Sequence, residues 1–131
     1  MSQWNDLQME LRIREILAEI RSHAPEHHFG RPFITPYQIA IRFRQRFPEA
    51  FETIAKPVGG KGAGQHDSLA QYIAGELSRR IRNQTIQDIE GAFLHRAHLH
   101  VLAYDAGDGE IIESSSMQAY DLSMFRLRAA E

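Results

Sequence analysis

Residues 94–113 read LHRAHLHVLAYDAGDGEIIE, and the way this stretch is read decides the fold. Ala97, Leu99, Val101 and Ala103 alternate with His98, His100, Leu102 and Tyr104. That is the period of two that sends successive side chains to opposite faces of a strand. AGDG at positions 106–109 is a turn signal, and EIIESSSMQ at 110–118 starts a second strand. AYDLSMFRLR at 119–128 supplies a third, with Tyr120, Leu122 and Met124 facing one way while Phe125 and Leu127 interrupt a simple alternation. A small antiparallel sheet is therefore expected over about 94–128.

Upstream the period is helical. NDLQMELRIREILAEIRS sets Leu7, Met9, Ile13, Ile16, Leu17 and Ile20 on one wide stripe, which predicts a long amphipathic first helix over about 5–22. TPYQ at 35–38 combines a Thr N-cap, a Pro at the first helical position and a Gln able to bond back to the cap. The helix it starts buries Ile39, Ala40, Phe43 and Phe47 and leaves Arg42, Arg44 and Arg46 largely outside. Pro48 interrupts it, and PEAFETIA adds a turn or two that bury Phe51 and Ile54. A further helix starts at Asp67 or Ser68, where Ser68 and Gln71 fit a capping box, and it carries Leu69, Ile73, Leu77 and Ile81 inward. NQTIQDIEGAF at 83–93 predicts a short helix capped by Thr85, closing a helical middle over about 35–92. The expected class is α+β: N-terminal helices followed by a small antiparallel sheet, in one globular domain spanning residues 1–131.

This order of elements, helices and then a hairpin, resembles winged helix-turn-helix modules. The resemblance implies that the helix from Ser68 to Arg82 follows the turn and that the strands around Asp105–Glu110 form the wing. Two features depart from it. The connection between the helices exceeds the usual three or four residues, and the AGDG tip is acidic rather than basic.

Composition narrows the function classes. The 131 residues contain no Cys, which excludes disulfides, thiolate catalysis and cysteine-based metal sites and is compatible with a cytoplasmic, reducing location. The opening residues mix acids and arginines, so no signal peptide is expected, and no apolar run is long enough to suggest a membrane span. The formal net charge is only -2, yet its distribution is polarised. Residues 31–82 carry a basic excess and residues 83–121 an acidic one. Such polarity steers an anionic partner to one side, or pairs the chain with a copy of itself.

The glycine-rich GGKGAGQHDS at 59–68 is the most distinctive segment. A Walker loop needs Gly, four residues, then Gly-Lys-Ser/Thr. Here Ala55 stands at the first position and Gly62 replaces the magnesium-binding hydroxyl. No strand leads in, so a dinucleotide fingerprint fails as well. The loop is expected to be an irregular connector, with no nucleotide or other cofactor. His95, His98 and His100 have a spacing of metal-ligand type, but only His98 and His100 would share a strand face, and no metal site is expected. His66, Asp67 and Ser68 are consecutive and do not converge as a catalytic trio does. Glu49 and Glu52 lack a companion cluster, and no catalysis is expected.

Two functional readings remain. One is nucleic-acid binding, to duplex DNA, by a basic middle surface. Arg42, Arg44, Arg46, Lys61, Arg79, Arg80 and Arg82 would meet phosphates, and Gln65, Ser68 or Gln71 near the helix start would reach base edges. The other is a non-catalytic interaction module that joins a homodimer or another protein through the first helix, the charge polarity or the strands.

Overall fold

The computed structural model describes residues 2–24, 26–60, 68–114 and 121–128. Its architecture is α+β, with helices first and antiparallel strand pairs after them. The helices are α1 (Gln3–Asp6), α2 (Met9–Glu19), α3 (Pro36–Arg46), α4 (Pro48–Ile54) and α5 (Leu69–Arg82). The strands are β1 (Ile89–Leu94), β2 (Ala103–Gly107), β3 (Glu110–Glu113) and β4 (Leu122–Leu127).

The single long first helix is replaced by two. Gln8 adopts a left-handed conformation with φ of 52°, which breaks the chain between α1 and α2. The break turns Trp4 back onto α5, where its ring meets Tyr72 edge-on at 5.9 Å and lies under the Arg80 guanidinium at 4.8 Å. The second piece ends at Glu19, short of Ser22. Met9, Ile13, Ile16 and Leu17 all enter the core, as their spacing requires.

Around α3 the local signals and the structure agree. The Thr35 hydroxyl accepts from the Gln38 N–H at 3.3 Å, and the Gln38 side chain accepts from the Thr35 N–H at 2.8 Å. Pro48 then opens α4 as its first helical residue, because it has no N–H to lose there. Ile39, Ala40, Phe43, Ile54, Leu69, Ile73 and Leu77 form the centre of one core.

The strands depart further from expectation. Residues 89–94 form β1 instead of the end of a helix, and Ile86 and Ile89 enter the core from an extended chain. Residues 95–102 are not a strand: the chain turns at Ala97–His98, with φ of 64° at His98. The regular hairpin is shorter than predicted and comprises β2 and β3, turning at Asp108–Gly109.

β4 organises the sheet. It pairs antiparallel with β1, Phe125 opposite Gly91, and Phe125 also exchanges both backbone bonds with Ile34, at 3.0 and 2.8 Å. In an antiparallel ladder the N–H and C=O of one residue point to one side and those of its neighbours to the other. Ile34 and β1 therefore lie on opposite edges of β4. The segment between α2 and α3 thus forms one edge of a ladder whose other edge follows α5.

Candidate nucleic-acid interface

α5 begins where the preceding segment hands over its carbonyls. The Pro57 and Val58 carbonyl oxygens accept from the Leu69 and Ala70 N–H groups at 2.7 and 2.9 Å, and the Ser68 hydroxyl accepts from Gln71 N–H at 3.1 Å. The first amides of the helix are thereby satisfied within the chain. Ser68 is buried and serves as an N-cap. Gly60 belongs to the same junction: its φ is +100°, and a Cβ there would run into the Glu113 carbonyl oxygen of β3. Lys61, Asp67 and most of the glycine-rich connector lie outside the described residues.

The helix that follows has a clean division of faces. Leu69, Ile73 and Leu77 point into the core. Gln71, Gly75, Ser78, Arg79 and Arg82 are exposed and recur at helical spacing, so they make one outward arc. No carboxylate and no large apolar side chain belongs to those five positions. Beside them, Glu76 pairs with both Arg79 and Arg80. Arg80 is only 13% exposed and packs on Trp4, so it serves structure. Arg82 is exposed at the last turn, with no ion pair to it among the described residues. Lys56 stands over the Tyr72 ring at 5.5 Å, at the edge of this arc, and burial raises the Tyr72 hydroxyl above its ordinary pKa.

The arginines of α3 are placed otherwise. Arg42 and Arg46, one turn apart, both pair with Glu19 at the end of α2, Arg42 at 3.1 Å. Arg44 projects to another side and pairs with Glu110 of β3. These three side chains tie α3 to its neighbours, Arg42 and Arg46 to α2 and Arg44 to β3. The arginines of the middle region thus meet different carboxylates: Glu19, Glu110 and Glu76. The β2–β3 hairpin carries Asp105, Asp108, Glu110 and Glu113 without a Lys or Arg, so it is acidic.

Other candidate chemistry is sparse. Among the described residues no group of three or more His, Asp or Glu side chains is arranged to hold a metal ion. His95 and His27 accept backbone N–H bonds at Nδ1, from Ala97 and Phe29, and act as turn residues. Tyr104 is buried beside Tyr37, and desolvation raises its hydroxyl pKa, with Thr35 opposing part of the shift. No helix among the described residues is long and apolar enough to cross a membrane. Met9 and Ile16, whose exposure would have marked an interface on the first helix, are fully buried in the chain's own core.

Sequence reasoning missed the outward arc as a unit. The signal was present: positions 71, 75, 78 and 82 follow the i, i+4, i+7, i+11 progression, and all four are polar or lack a side chain. Comparison with protein-family models, with curated proteins and with solved structures returns no match.

Proposed function

We propose that the chain is a duplex-DNA-binding domain of winged-helix type, with α5 as the helix that enters the major groove. The observation that carries the reading is the outward arc of α5, polar, without carboxylates, and ending in Arg79 and Arg82. A helix of about 10–12 Å diameter fits a major groove about 12 Å wide. The connectivity supports it as well: a bridge at Ile34 before α3, then α5, β1, a hairpin and a central β4. The connection from α3 to α5 is longer than a simple helix-turn-helix turn because α4 is included in it. Phosphate contacts come from Arg79, Arg82 and Lys56 at the margins of the arc, and Gln71 faces base edges. Repulsion from the acidic β2–β3 hairpin disfavours an approach of phosphates from its side. The absence of Cys is in keeping with a cytoplasmic location.

The test is fluorescence anisotropy of labelled duplex DNA against salt, with the Arg79→Glu/Arg82→Glu double variant beside the wild type. Wild-type affinity should fall steeply with salt, and the variant should lose affinity and lower the log–log slope by about one for each phosphate contact removed. Equal binding and equal slope would remove α5 from consideration.

A second reading, a protein-interaction module that takes a copy of itself or another protein, is favoured by one observation. Phe29, Phe93 and Ile111 are 72, 73 and 61% exposed, an unusual display of large apolar side chains. Sedimentation across a concentration range separates a self-associating chain from a monomer.

A further inference from the structure

Gly75 occupies the middle of α5, and nothing among the described residues asks for a glycine there. Glycine is the least favourable residue of a helix interior after proline. A helical backbone asks for no positive φ here, and a Cβ at this position would meet nothing within 4 Å. Gly60 offers the contrast, because its φ and the Glu113 carbonyl both demand glycine. The space at Gly75 is open to something beyond the described residues.

Two further observations say what that is. Gly75 stands at the centre of the outward arc, with Gln71 one turn before it and Ser78 about one turn after. It also lines a shallow concavity of ≈ 260 Å³ together with Lys56, Ser68, Gln71, Tyr72, Glu76 and Arg79. Lys56 and Arg79 outweigh the one carboxylate there, Glu76, and the remaining positive charge beside a residue without a side chain is complementary to an anionic partner that comes up to the helix main chain.

We infer that Gly75 is the close-approach residue of α5, the point where the floor of the DNA major groove reaches the helix backbone. The inference rests on the duplex-DNA reading above. A side chain at position 75 would hold the whole helix off the base pairs by its own length. Without one, Gln71 and Ser78 come within reach of base edges, and Gln71 has the amide geometry that pairs bidentately with adenine.

The experiment compares wild type, Gly75→Ala, Gly75→Leu and Arg79→Glu/Arg82→Glu on one labelled duplex pool of mixed sequence, with thermal melts of each protein. Both glycine variants should melt a few degrees higher than wild type, since Ala and Leu are better helix formers in an open position. Gly75→Leu should nevertheless bind at least about tenfold more weakly, the loss of roughly one good bidentate base contact, with Gly75→Ala between it and wild type. Its salt slope should stay closer to wild type than that of the arginine variant, because the cations remain. If Gly75→Leu binds as wild type while the arginine variant does not, the close-approach role is wrong and the DNA reading stands. If wild type shows no salt-dependent binding, both fall together. A lower melting temperature for Gly75→Ala would also overturn the inference, because it would reveal an internal need for the glycine.

Discussion

Arg14 grips Asp88 with two parallel hydrogen bonds, Nε to one carboxylate oxygen at 2.7 Å and Nη2 to the other at 2.8 Å. This fork ties α2 to the segment just before β1, across 74 positions of sequence. The bidentate geometry is the strong form of an arginine–carboxylate contact, though more than half of the Asp88 side chain remains exposed and solvent screens it.

The pH consequence has a definite sign. The Arg14 hydrogen bonds hold the Asp88 carboxyl below its usual pKa. A group depressed in the folded state stabilises the fold above the unfolded pKa, and that stability is lost as pH falls through the folded value. Arg14→Gln should therefore destabilise the protein near neutrality by about 0.5 kcal/mol, in the range of screened surface pairs. Its deficit relative to wild type should shrink toward zero in strong acid. Carboxyl chemical shifts of Asp88 followed through an acid titration should give a midpoint that rises in the Arg14→Gln variant. An unchanged midpoint would mean that the fork does not persist in solution.

Gly60→Ala should be costly where most loop substitutions are not. Its positive φ is unfavourable for any other residue, and the new methyl would press on the Glu113 backbone. About 1–3 kcal/mol of destabilisation is expected, measured as a lower urea midpoint. Loss of the β2–β3 amide protection should accompany it, because Gly60 packs against that hairpin.

The Ser68 cap predicts a local effect. Ser68→Ala removes the acceptor for the Gln71 N–H and should cost about 1 kcal/mol. Faster hydrogen exchange should concentrate in the first turn of α5 and leave α3 as it was. Uniform acceleration over both helices would instead point to a global loss of stability.

Trp4 is the only tryptophan in the chain and is 2% exposed. Its emission should be blue-shifted and resist iodide quenching, and Trp4→Ala should cost about 3–5 kcal/mol. Arg80→Ala should expose Trp4 to quencher and lower stability by about 1–2 kcal/mol, through the lost cation–π contact. Duplex affinity should change little. A large affinity loss with stability intact would make Arg80 a phosphate contact after all.

The helices were legible because their signals are local. Thr35, Gln38, Pro36 and Pro48 satisfy or break backbone bonds within one turn, so neighbours in sequence suffice to read them. The class, helices and then antiparallel strands, followed from the change of period after residue 94. The strand positions did not, because pairing partners decide them. Residues 89–94 are extended because β4 hydrogen-bonds to them, although Ile86, Ile89 and Phe93 also satisfy a helical spacing. Among the described residues the alternation through 97–104 has a partner strand only at Ala103 and Tyr104, and a turn at His98 interrupts it. The break at Gln8 was hidden for the same reason: Trp4 is held by Tyr72 and Arg80, contributed from far along the chain. The basic residues were easy to list, but their pairing was not. Which carboxylate each arginine meets is a property of the tertiary arrangement, as Glu19, Glu110 and Glu76 demonstrate.

The central place of β4 has a consequence for synthesis. A ribosome delivers α2, Ile34, α3, α5 and β1 before it delivers Phe125, yet Ile34 and β1 meet only through the strand that Phe125 belongs to. Until residues 122–127 emerge, both edges lack their middle partner. The nascent chain carries partly assembled helices with an unfinished sheet, and the ladder closes only once that strand has emerged, at the entropic cost of a distant pairing. Ribosome-bound chains stalled before and after that strand has cleared the exit tunnel should differ in protease resistance far more than any other pair of equally spaced stalls.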